Sequence, residues 1–123
     1  MSATTARQRT LTNHEPSWWL RAQVDAVLAS WQTNGVHACP HLKRSRRNAA
    51  VGLTALHMPE VLTCPDRCRD VFKLTGPRDF ECDRCHEQSD SLVGVVYDID
   101  VDGLRLLVMF GLCPQCEARE VGR

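Results

Sequence analysis

Seven cysteines stand in this chain of 123 residues, and four of them form two pairs of identical spacing. Two residues separate Cys82 from Cys85, two separate Cys113 from Cys116, and twenty-seven lie between the pairs. A two-residue gap lets a tight turn aim both sulfurs at one ion while nearby backbone amides donate hydrogen bonds to them. A hairpin folded between the pairs would bring four thiolates around a tetrahedral ion. The remaining cysteines, Cys39, Cys64 and Cys68, are an odd set that needs a fourth ligand. Histidine is the natural supplier. His41 follows Cys39 by two residues and is favoured, His37 precedes it symmetrically, and His57 is a more distant candidate. Three thiolates and one imidazole would complete a second site. Two Zn2+ ions are therefore expected, with iron as the alternative, since four cysteines hold either metal.

A fully coordinated ion has no open position for water, so neither site is expected to be catalytic. Enzyme patterns that share these residue types fail on spacing. A zinc deaminase needs His-x-Glu before its cysteine pair, and His37-Ala38-Cys39 has no glutamate. A radical iron–sulfur enzyme needs a further cysteine three residues after Cys68, where Val71 stands. The helical His-Glu-x-x-His pattern and phosphate-cradling glycine loops are absent. A thioredoxin-like redox pair stands at a helix start after a strand, whereas these pairs read as matching turns around a hairpin. His86 reads as an exposed turn histidine. No enzyme activity is expected.

The elements that must position the ligands differ in clarity. Residues 1–15 are polar and read as a disordered tail. Residues 16–35 read as an amphipathic helix: Pro16-Ser17 opens it and Asn34-Gly35 stops it. Leu20, Val24, Val27 and Trp31 share one face, widened by Trp19 and Leu28. The three tryptophans read as core, with a partner surface as the alternative. Residues 36–76 form an irregular Cys/His zinc-binding segment: a loop, a short helix or extended stretch that Pro59 breaks, then a strand entering the turn from Cys64 to Cys68. In residues 77–123, two apolar β-rich runs, 92–99 and 104–110, flank Asp102-Gly103, a strong hairpin signal. Val93, Val95, Tyr97 and Ile99 alternate onto one face, as do Leu104, Leu106, Val108 and Phe110.

Residues 80–117, with Cys82-x2-Cys85 and Cys113-x2-Cys116 around the hairpin, resemble the zinc-ribbon family. The resemblance implies that these four cysteines ligate a structural zinc. Turns of that family often carry glycine after the second cysteine; here the places hold His86 and Glu117. The expected fold class is a small α+β metal-stabilised protein, one compact unit with an N-terminal amphipathic helix, an irregular Cys/His segment and a zinc-ribbon-like β-hairpin. Size favours metal, because neither half has the apolar residues for a generous core and a structural ion contributes on the order of 10 kcal/mol of folding free energy.

Charge narrows the partners. The formal net charge of +0 conceals an excess of five positive charges through Arg47 and of five negative charges after it. Seven thiolates and two divalent ions would take the total from zero to about −3. Bulk electrostatics therefore give no attraction for nucleic acid, but Lys43, Arg44, Arg46 and Arg47 can grip phosphate or an acidic protein surface locally. Zinc-ribbon resemblance implies work in nucleic-acid machinery, so a nucleic-acid-associated or regulatory adaptor is expected. The alternative is a protein–protein module that docks through the tryptophan helix and the acidic C-terminal half; a redox or iron protein is the third. No apolar run spans a membrane and the first residues carry no secretory pattern, so a reducing cytoplasm is the expected location. No membrane or small-molecule substrate is expected.

Overall fold

The structure is a computed structural model that describes residues 8–12, 15–44, 51–65, 68–73 and 76–121. Within them lie six strands in one mixed sheet and three α-helices. The strands are β1 (Gln8–Thr12), β2 (His37–Ala38), β3 (Val51–Ala55), β4 (Met58–Thr63), β5 (Val93–Val101) and β6 (Leu104–Leu112). The helices are α1 (Trp18–Asn34), α2 (Pro40–Arg44) and α3 (Pro114–Val121), with 3-10 turns at Arg69–Phe72 and Gly76–Phe80. The chain is thus a small mixed α/β protein.

The hairpin forms at the expected place. Asp102 and Gly103 take left-handed backbone, at φ 51° and 89°, and β5 pairs antiparallel with β6 from Val93↔Leu112 to Val101↔Leu104. The Asp100 carboxylate accepts from the Gly103 amide at 3.2 Å and steadies the turn. This hairpin is not a free-standing ribbon, because both of its strands are interior to a sheet ordered β1-β5-β6-β3-β4-β2.

Two segments depart from what local sequence predicts. The polar tail is not loose throughout, since Gln8–Thr12 adds to β5 as a parallel strand and buries Leu11. Polar composition predicts disorder only when no sheet edge stands ready to satisfy the backbone. Pro59 does not break its segment either. It lies in β4, whose register against β3 shifts between the Leu53 and Ala55 pairings, and such an irregularity tolerates a residue without an amide hydrogen. Its carbonyl accepts from the Trp31 indole at 2.5 Å.

Helix α1 starts where Ser17 caps it, the hydroxyl accepting from the Leu20 amide at 3.1 Å, and ends at Gly35 with φ 79°. Leu20 and Val27 are buried, while Val24 and Trp31 pack at the margin of the main core. Each full burial of that kind is worth about 1.5–3 kcal/mol. The core side chains of β5 and β6 are those of the expected alternation, with Trp19 meeting Phe110 edge to face at 5.6 Å. A smaller cluster of Leu53, Ala55 and Phe72 gathers Leu107 and Met109, the alternate positions of β6.

Strand directions place the cysteines. β1, β5, β4 and β2 run one way and β6 and β3 the other. Cys39 and Cys64, which come just after β2 and β4, therefore stand at one end of the sheet, and Cys113, just after β6, at the opposite end.

Candidate metal centres

The centre at the β6 end gathers Cys82, Cys85, Cys113 and Cys116, whose sulfurs all lie within 4.8 Å of one another. Its first half is a tight hook. The Cys82 amide donates to the Glu87 carbonyl, the His86 amide to the Cys82 carbonyl and the Ser89 amide to the Phe80 carbonyl, each at 2.9 Å. His86 takes a left-handed φ of 64°, at the place where the resembled family often has glycine. The hook is tied to the strand end by Asp83, whose amide donates to the Gly111 carbonyl at 2.8 Å and whose carboxylate accepts from the Gly111 amide at 2.7 Å.

The second half departs from expectation. Cys113 and Cys116 do not sit in a turn matching the first, because Pro114 opens α3 directly after β6. Proline is suited to the first helical position, so Cys113-Pro114 starts a helix as readily as a turn. Cys113 stands at the helix end where the dipole favours a thiolate. Its thiol is lowered from the ordinary range: burial opposes this, but the Cys116 amide and the neighbouring thiols donate to it. Burial pushes Cys116 up strongly. Cys82, Cys113 and Cys116 are buried, whereas Cys85 is exposed.

At the opposite end of the sheet Cys39, His41, Cys64 and Cys68 place their ligand atoms within the same 4.8 Å. His41, and neither His37 nor His57, is the imidazole of this group; the His57 ring instead meets the Phe72 carbonyl at 2.8 Å. The Cys39 amide extends the β2–β4 ladder to the Leu62 carbonyl at 3.0 Å, and α2 then carries His41 around toward the sulfurs. The Cys64 amide donates to the Cys39 sulfur at 3.2 Å. Burial pushes the Cys68 thiol up to about 11, helped by the thiols of Cys64 and Cys39.

A tetrahedral ion sets the separations between its ligand atoms. Zinc–sulfur bonds near 2.3 Å give sulfur–sulfur edges of about 3.8 Å, and zinc–nitrogen bonds near 2.0 Å give nitrogen–sulfur edges of about 3.5 Å. The Cys85 and Cys113 sulfurs are 3.8 Å apart. His41 Nδ1 stands 3.6 Å from the Cys64 sulfur and 3.4 Å from that of Cys68. Four thiols this close cannot all ionise beside one another, and a divalent cation removes the penalty. Both groups can hold a metal ion.

Around the first centre lies a polar network that spacing in the sequence does not reveal. Arg84, inside the Cys82–Cys85 hook, lies 5.6 Å over the Trp19 ring and 3.9 Å from the fully buried Glu120 of α3. Glu120 in turn accepts from both the amide and the hydroxyl of Ser17. Its only sequence signal is a glutamate on the face of α3 that also carries Cys116, four residues earlier.

Of the basic run, Lys43 and Arg44 end α2 just beyond His41, and Arg46 and Arg47 lie outside the described residues. Among the described residues no helix is long and apolar enough to cross a membrane. No family model, curated protein or solved structure matches this chain.

Proposed function

We propose that the chain is a non-enzymatic protein with two structural zinc ions, one held by Cys82, Cys85, Cys113 and Cys116 and the other by Cys39, His41, Cys64 and Cys68. The observation that carries this reading is the agreement of the sulfur–sulfur and nitrogen–sulfur separations with tetrahedral edges at both ends of one sheet. Four protein ligands fill each coordination sphere, so the ions brace the sheet ends and leave the surface to do the work. That work is recognition, as a nucleic-acid-associated or regulatory adaptor of the cytoplasm with kinship to zinc ribbons. The basic run from Lys43 to Arg47 begins two residues beyond a metal ligand, and a braced base makes phosphate contacts cheaper to order. Fluorescence anisotropy with labelled RNA and DNA at moderate salt tests it. Binding should be lost when Arg44, Arg46 and Arg47 are replaced together by alanine, and binding that survives removes the mechanism.

A redox or iron centre is a second reading, favoured by one observation: Cys113 and Cys116 come after a strand and open a helix, with the Cys113 thiol lowered and Cys85 exposed. Iron would give the purified protein a visible absorption band, and zinc would leave it colourless. Docking onto a protein partner is a third reading, and the exposure of Trp18 favours it.

A further inference from the structure

Helix α1 buries one face and leaves the opposite one uncovered. Trp18, Ala22, Ala26, Ala29 and Thr33 are all exposed and succeed one another at spacings of four, four, three and four, so they form a single outward stripe. Trp18 is 73% exposed, more than any other large apolar side chain among the described residues. A tryptophan beside small side chains presents a ridge and a shallow groove on the same helix, and alanines let a second helix approach to about 8 Å. Arg21 and Asp25 border the stripe, both exposed and with no ion-pair partner among the described residues.

The charges select the occupant. One cation and one anion a helical turn apart are self-complementary under a two-fold axis at the level of Gln23. An antiparallel copy then sets Arg21 of each chain level with Asp25 of the other. The same operation lays Trp18 of each copy beside Ala29 of the other and brings the two Ala22 residues together at the crossing. Every contact is made twice, as an isologous interface requires, and the antiparallel dipoles add a small favourable term. With both sites filled the total is only about −3, which sets little bulk repulsion between copies. We propose that the protein forms a symmetric homodimer through the exposed face of α1, an inference that needs the fold but not the identity of the metal.

One helix pair buries less than the roughly 1,200 Å² of the smallest stable complexes, so the dimer should be weak and concentration-dependent. Sedimentation velocity on the full chain as purified, from about 10 µM to about 1 mM, should show a monomer–dimer equilibrium. Trp18→Ala and Ala22→Glu should each raise Kd by about tenfold or more. Arg21→Asp alone and Asp25→Arg alone set like charges together and should weaken association by a similar factor. The double swap R21D/D25R should return Kd to within about threefold of the original. Should a variant lose helical circular dichroism, Ala29→Glu takes its place. A chain that stays monomeric throughout the range overturns the proposal, as do single charge variants that pair normally or a double swap that fails to rescue.

Discussion

Ser17 and Glu120, 103 positions apart, close the first helix onto the last: the Ser17 amide donates to Glu120 Oε2 at 3.0 Å and its hydroxyl donates to Oε1. No acidic residue stands in the first turn of α1, so Glu120 supplies from another helix the negative charge that a helix N-terminus favours. Because Cys116 lies one turn earlier on α3 and Arg84 lies inside the cysteine hook, this contact ties the packing of α1 to the centre at the β6 end.

Glu120→Ala should therefore destabilise the protein by about 2–3 kcal/mol, because it strips two hydrogen bonds from a buried cap. Arg105→Ala is the comparison. Arg105 pairs with Asp98 at 2.6 Å, which raises the Arg105 pKa, yet the arginine itself is exposed and water can replace it, so its loss should cost less than that of the fully buried Glu120. Urea denaturation of the two variants should rank them in that order.

Gly52→Ala should cost about 1–3 kcal/mol by overpacking. A Cβ at this position would lie 2.7 Å from Leu62 Cδ1 and 3.1 Å from its Cγ, in buried surroundings that give Leu62 little room to turn away. Thermal melts should show a fall of several degrees.

His86→Gly should do the reverse. The left-handed backbone at φ 64° costs a side chain about 1 kcal/mol, and the exposed contact of His86 with Glu81 at 3.3 Å repays little of it. A modest rise in Tm with unchanged metal content is the expected outcome.

Protons should act in opposite senses on the two forms of the protein. Without metal, the folded-state pKa of Cys68 is raised to about 11 from 9.0, so the folded chain holds this proton more tightly than the unfolded one. Its contribution is complete below about pH 9 and disappears as pH rises toward about 11. With metal the ligands must lose protons to bind, so binding weakens as pH falls. Chemical denaturation with and without chelator across neutral to alkaline pH should show the gap between the two forms widening as pH rises.

The ligands are legible in the sequence because coordination geometry is local: a two-residue gap and a Cys-x-His step constrain where sulfurs and nitrogens can point. The helix and hairpin are equally readable, since 3.6- and 2-residue periods, a serine cap and an Asp-Gly turn act within a few residues. Gln8–Thr12 as a strand is not, because its stability comes from β5, more than eighty residues away. The place of Pro59 inside β4 is hidden for a related reason, as an irregular register between two strands is a property of the pair. Whether a cysteine pair opens a turn or a helix depends on the residue beside it, and Pro114 permits either.

The proposed arrangement closes eight side chains around two ions. Elemental analysis of freshly purified protein should find two zinc per chain, falling to one in Cys113→Ser and to one in Cys64→Ser, with the other centre retained. A metal-free preparation that keeps the same fold and melting temperature, or variants that lose no zinc, would contradict it.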